Sequence, residues 1–119
     1  MSKILGFGMK VVAQQVGDAL VIRVDQDRID AASAIQFKDQ MRLLTQSGMP
    51  RVVLDLAQVA FIDSSGLGAI VAAMKGLGPA QKLELSGLTD TVKKVFRLTR
   101  MDTVFTIHHD LPVNLAKAG

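Results

Sequence analysis

Two stretches rich in Val and Ile, residues 9–16 and 19–24, are separated by Gly17-Asp18, a dipeptide suited to a tight reversal, so the chain is expected to open with a β-hairpin. Past Ile29 the period changes. Ala34, Phe37, Met41 and Leu44 recur at three- and four-residue spacing, with Ile35 widening the stripe, which predicts an amphipathic helix capped by Asp30 or Ser33 and stopped by Gly48 and Pro50. Residues 51–56 then form a nearly continuous apolar run, the pattern of a buried parallel strand. After residues 59–62 comes Asp63-Ser64-Ser65-Gly66-Leu67-Gly68, leading into a second helical stripe of Leu67, Ile70, Val71 and Met74 that Gly76, Gly78 and Pro79 end. Residues 82–86 alternate as a strand. Thr89 or Asp90 caps a third helix that turns Val92, Val95 and Phe96 inward, residues 103–107 read as a last strand, and a weak tail with a possible short helix begins at Leu111.

The order β β α β α β α β predicts an α/β fold with a mixed sheet, antiparallel at the N-terminal hairpin and parallel where helices intervene, and three to four helices packed on it. At 119 residues, 49% hydrophobic and 21% charged, the chain has material for one packed core, and residues 1–119 are expected to form a single domain. Cys is absent, which excludes disulfides, thiolate nucleophiles and Cys-based metal sites and agrees with a reducing compartment. The first ten residues hold too short an apolar run for a signal peptide, and no stretch is apolar for the roughly 18 residues a membrane span needs, so a cytoplasmic location without membrane contact is expected. A net charge of +3 is too weak to argue nucleic-acid binding.

The segment that can carry chemistry is Asp63-Ser64-Ser65-Gly66. It sets two hydroxyls at a helix start, where the first amides lack intrahelical acceptors and the helix dipole is positive. Asp63 or Ser64 serves there as N-cap, and Gly66 and Gly68 let the helix approach the sheet. The same place tolerates a phosphate on Ser64, about −1.5 to −2 charges, which the amides of Gly66 and Leu67 are expected to meet. An interface covering Ser64 would not tolerate it: a buried unpaired charge costs about 2–5 kcal/mol, or roughly 30- to several-thousand-fold in affinity.

The run from Val59 to Gly68, Val-Ala-Phe-Ile-Asp-Ser-Ser-Gly-Leu-Gly, resembles the signature of the STAS domain of bacterial anti-sigma factor antagonists. Arg28-Ile29-Asp30-Ala31-Ala32 is similar to the family's earlier motif, an apolar residue and an Asp opening the first helix, and residues 92–99 and 104–107 resemble its third helix and last strand. The likeness covers nearly the whole chain, with departures at Asp27 and at Arg100-Met101, where the family usually has Gly. The resemblance implies a regulatory protein, not an enzyme, with no catalytic residue and no cofactor. Its unphosphorylated form would bind an anti-sigma factor serine kinase and release the sigma factor. Phosphorylation of Ser64 would switch binding off and a serine phosphatase would restore it, with Asp30, Asp63, Ser64, Ser65 and Gly66 at the contact. The alternative is a small-ligand or nucleotide-sensing domain using the same helix start as an anion site.

Other chemistries lack their geometry. A hydrolase elbow needs Gly where Ile62 stands, and the chain's two His residues are His108 and His109. As neighbours on a strand they would point to opposite faces, which disfavours a metal site. Gly66-Leu67-Gly68 has neither phosphate-loop spacing. Lys93, Arg97 and Arg100 share one face of the third helix beside Lys94, where an acidic partner or nucleic acid could dock. Without Trp or Tyr to stack bases, a solvated face is the expected reading and direct nucleic-acid binding is not.

Overall fold

The computed structural model describes residues 2–5 and 9–111. Its strands are β1 (Ser2–Leu5), β2 (Val11–Val16), β3 (Ala19–Val24), β4 (Arg28–Ile29), β5 (Arg51–Asp55), β6 (Phe61–Ile62), β7 (Lys82–Ser86) and β8 (Thr106–His108). The helices are α1 (Ala34–Thr45), α2 (Ser64–Lys75) and α3 (Asp90–Leu98), with one 3-10 turn at Met101–Thr103. Six strands form the main sheet in the order β1-β2-β3-β5-β7-β8. β2 pairs antiparallel with β1 on one side and β3 on the other, whereas β3, β5, β7 and β8 pair in parallel, as expected where a helix separates successive strands. The predicted hairpin is present. Val16 pairs Ala19 across a two-residue turn in which Gly17 has φ +61, the conformation that a first central Gly supplies at low steric cost.

Strand alternation gives the sheet two chemically different faces. Leu20, Ile22 and Val24, Val52 and Leu54, and Leu83 and Leu85 join Phe37, Met41, Ile70, Val92 and Phe96 from the helices in the main core. On the other face Val16, Ala19 and Val53 form a smaller cluster with Val21 and Leu111.

Two expectations need correction, and two further features were not predicted. Ile35 does not widen the buried stripe of α1: it is 67% exposed, because the stripe of Ala34, Phe37 and Met41 already fills the contact with the sheet. The last strand begins at Thr106, because residues 101–103 close a 3-10 turn first. β1 adds an antiparallel edge strand that weak local patterning concealed. β4 and β6 pair only with each other, in a separate two-stranded ribbon. The possible terminal helix lies outside the described residues.

Candidate functional site

The small ribbon is what builds the site. Arg28 pairs Phe61 and Ile29 pairs Ile62 in parallel, so the chain leaves both strands side by side, through Asp30 towards α1 and through Asp63 into α2. The ribbon's entrance is fixed by the Asp27 carbonyl, which accepts from the amides of Ala60 and Phe61 at 2.7 and 3.1 Å.

Asp63 joins the two exits. It is the N-cap of α2, in extended conformation, and its Oδ1 accepts from the Gly66 amide at 2.8 Å. Its Oδ2 accepts from the Ala31 amide at 3.1 Å, so one carboxylate caps one helix and clasps the approach to the other. Asp30 works locally: its Oδ1 accepts from the Ala32 amide at 3.1 Å and from the Ser33 hydroxyl at 3.3 Å, closing the turn before α1. Of the two predicted caps of α1, Ser33 holds the N-cap position, yet its side chain makes no cap bond. Its hydroxyl instead accepts from the Asp30 amide at 3.1 Å.

Gly66 is required by proximity. A Cβ built there would collide with the Ile29 carbonyl group, whose carbon would lie 2.7 Å away, and with Ile62 Cγ1 at 2.9 Å. Only Gly lets α2 start against the ribbon. Ser64 and Ser65, by contrast, are exposed, and neither hydroxyl has a hydrogen-bond partner among the described residues. The Gly66 and Leu67 amides, expected to meet a phosphate on Ser64, are already engaged in the unmodified chain. Gly66 donates to the Asp63 side chain, and Leu67 donates to the Asp63 carbonyl at 2.9 Å. The helix-start amides without an acceptor among the described residues are those of Ser64 and Ser65.

The surroundings are mixed. Ala31 and Ala32 are exposed, Phe61 is 40% exposed, and the Arg28 guanidinium lies 4.9 Å above the Phe61 ring while its Nε sits 3.8 Å from Asp30 Oδ2. An accessible hydroxyl on a fixed helix start, rimmed by small apolar residues and one clamped Arg, is suited to contact with another protein and to modification.

Residues 10–113 match the STAS domain family. The chain is a STAS domain of the anti-sigma factor antagonist family. Among relatives, the anti-sigma-B factor antagonist of Listeria monocytogenes is 32% identical over 80 residues, 66% of this chain and 70% of that protein. A solved anti-sigma factor antagonist from Mycobacterium paratuberculosis superposes with a TM-score of 0.81 at 21% identity, covering 96% of this STAS domain and 98% of that chain. SpoIIAA, an anti-sigma factor antagonist described as a Bacillus cell fate determinant, has been solved in unphosphorylated and phosphorylated forms. They match with TM-scores of 0.63 and 0.60, both at 21% identity, covering 89% and 82% of this chain and 93% and 89% of theirs.

The five residues singled out from sequence, Asp30, Asp63, Ser64, Ser65 and Gly66, come together at one end of the STAS domain. Sequence reasoning missed the roles of Arg28 and Phe61. Their signal was available only as a pairing of two very short strands, which no periodicity reveals. It also missed a polar cluster elsewhere. Glu84 of β7, 5% exposed, receives the Arg51 Nε and Nη2 donors at 2.9 Å each, and its Oε1 lies 2.7 Å from His108 Nε2. The Arg51 hydrogen bonds foremost, then that of His108, hold the Glu84 carboxyl down at about 2 although burial pushes it up. His109, 88% exposed in its side chain, stands apart from this cluster beside Asp110. No helix among the described residues is long and apolar enough to cross a membrane.

Proposed function

We propose that this STAS domain acts as an anti-sigma factor antagonist that binds an anti-sigma factor serine kinase through the Asp30–Ser64 end, releases the sigma factor, and is switched off by phosphorylation of Ser64. The observation that carries the reading is the contrast within five residues: Asp63 and Gly66 are consumed in fixing the helix start, while the Ser64 hydroxyl is exposed and unengaged. The names of the relatives support it.

In the proposed step the Ser64 Oγ attacks the γ-phosphorus of ATP held by the partner. The Oγ–P bond forms, the bond to the β-phosphate oxygen breaks, ADP leaves, and the hydroxyl proton passes to a base on the kinase. The product places about −1.5 to −2 charges beside Asp63 and Asp30, whose carboxylates are already committed as acceptors. In the free protein that charge faces water and the Ser64 and Ser65 amides. Beneath a partner it would be desolvated next to like charges, at a cost of about 2–5 kcal/mol, so the complex dissociates while the fold persists. A serine phosphatase would reset the switch. On this reading the protein is a regulator in the cytoplasm and performs no catalysis itself.

The alternative, a reversible anion site at the same helix start, is disfavoured by Asp63: its carboxylate takes the Gly66 amide and sets a negative charge beside the Ser64 and Ser65 amides that remain.

The test uses Ser64→Ala and Ser64→Glu as paired baits in a native extract, with mass spectrometry of captured proteins and of the unmodified bait after incubation with ATP. A serine kinase retained by the Ala form alone, together with a phosphate mapped to Ser64, is the expected result. Equal capture by both forms, or a phosphate mapped only elsewhere, would overturn the switch.

A further inference from the structure

The third helix carries an exposed surface that the switch does not use. Lys93, Lys94, Arg97 and, just past the helix end, Arg100 are all exposed, and none of their side chains has an ion pair or hydrogen bond among the described residues. These four cations exceed the net charge of the whole chain, +3, against three acids close by: Asp90 in the first turn, Asp102 past the helix, and Asp110, which lines a neighbouring hollow with Lys93. A hollow of about 330 Å³ is bounded by Asp90, Thr91, Lys93, Lys94 and Arg97.

Beside the cations stands Leu98, 74% exposed and four residues after Lys94, hence on the same side of the helix, and Val104 beyond it is 48% exposed. The first helix differs in its ion pairing but not in exposed apolar residues. There Lys38 and Arg42 are interspersed with Asp39, which sits 3.5 Å from Arg42, and Ile35 and Leu43 are 67% and 56% exposed, whereas the α3 cations have no ion pair among the described residues.

We infer that this α3 face is a second docking surface, for an acidic segment of a protein partner that places carboxylates against Lys93, Lys94 and Arg97 and an apolar side chain against Leu98. Complementary charge favours such a segment over a neutral one, since cations without ion pairs lose hydration on contact and anions compensate that loss best. Leu98 favours protein over nucleic acid: the chain has no Trp or Tyr to stack bases, and an apolar side chain amid phosphates has nothing to meet. No residue of this surface belongs to the Asp30–Ser64 site, so it would remain available in either phosphorylation state.

The experiment titrates the full chain against a short labelled peptide of alternating Glu and Ser around one central Leu, its counterpart with Ser in place of that Leu, and an oligothymidylate of equal charge. Expected are binding of the Leu peptide that weakens about tenfold or more in Lys93→Glu/Lys94→Glu and weakens as salt rises, a clear loss in Leu98→Ser, and no change in Ser64→Glu. Indifference to the peptide's Leu overturns the inference, because it would mean charge attraction without a seat. Tighter binding of the oligothymidylate overturns it in favour of nucleic acid, and loss of binding in Ser64→Glu would fold the surface into the switch site. No binding of the Leu peptide at all also rejects it. The comparison of the two peptides and the salt series use the unmodified chain, so the result stands even if a variant fails to fold.

Discussion

Two carboxylates in this molecule each hold two partners at once, and they do it for opposite ends. Glu84 is buried on β7, next to the edge strand β8, and is satisfied by side chains: a bidentate Arg51 from one neighbouring strand and His108 from the other. Asp63 is part-exposed at the edge and is satisfied by backbone amides, Gly66 ahead of it and Ala31 across the gap between two loops. The first arrangement ties three adjacent strands together through side chains. The second fixes backbone and leaves the adjacent Ser64 and Ser65 hydroxyls unengaged, which separates holding the surface from using it.

Gly66 tests the edge cluster most severely. Gly66→Ala puts a methyl group into the Ile29 carbonyl, so α2 must lift from the ribbon, at an expected cost of about 3 kcal/mol or more in chemical denaturation. A loss below about 1 kcal/mol would mean that the ribbon yields and that Gly66 is not the anchor of the loop.

Glu84→Gln follows, keeping shape and removing charge. Arg51 and His108 keep 28% and 31% side-chain exposure, so water compensates them in part, and the expected loss at neutral pH is about 2–3 kcal/mol. The pH profile supplies the sign. A carboxyl held at about 2 in the folded protein against an ordinary 4.5 contributes stability that is complete above about 4.5 and drains away as pH falls towards 2. The gap between the native chain and Glu84→Gln should therefore close on acidification over that window. A gap that stayed constant with pH would show that packing, and not the charge, is what Glu84 provides.

The two clusters also differed in how plainly the sequence announced them. Asp63-Ser64-Ser65-Gly66 is contiguous, its cap and glycine chemistry are local, and all five candidate residues do converge. The strand and helix order was legible for the same reason, since each element carries its own period. Glu84, Arg51 and His108 are spread over three strands. Alternation with Leu83 and Leu85 puts Glu84 on the face away from the helices, but its burial depends on what else covers that face, which no local pattern encodes. Arg100 shows the converse. It occupies φ +63, a left-handed conformation that Gly adopts without penalty, and the family's usual Gly near this point was the legible sign that the backbone turns sharply there.

Asp63→Asn divides the edge cluster into its two halves. Asn can still accept from the Gly66 amide through its oxygen, but an amide nitrogen would replace Oδ2 and face the Ala31 N–H donor to donor. The expected cost is about 1 kcal/mol, with hydrogen exchange accelerated at Ala31 and little changed at Gly66. Faster exchange at both amides would show that cap and clasp form one unit.

Ser64→Ala should cost least of all. Its hydroxyl is exposed and bonded to nothing among the described residues, and Asp63, not Ser64, caps the helix, so the change in unfolding free energy is expected within about 0.5 kcal/mol. That near-zero value is the sharpest form of the comparison. A side chain at the focus of a conspicuous polar cluster would be dispensable for the fold, while Glu84, invisible from outside, is not. If Ser64→Ala instead destabilised the chain by as much as Asp63→Asn, the hydroxyl would be part of the clasp, and phosphorylation would act by loosening the loops and not by repelling a partner from an intact surface.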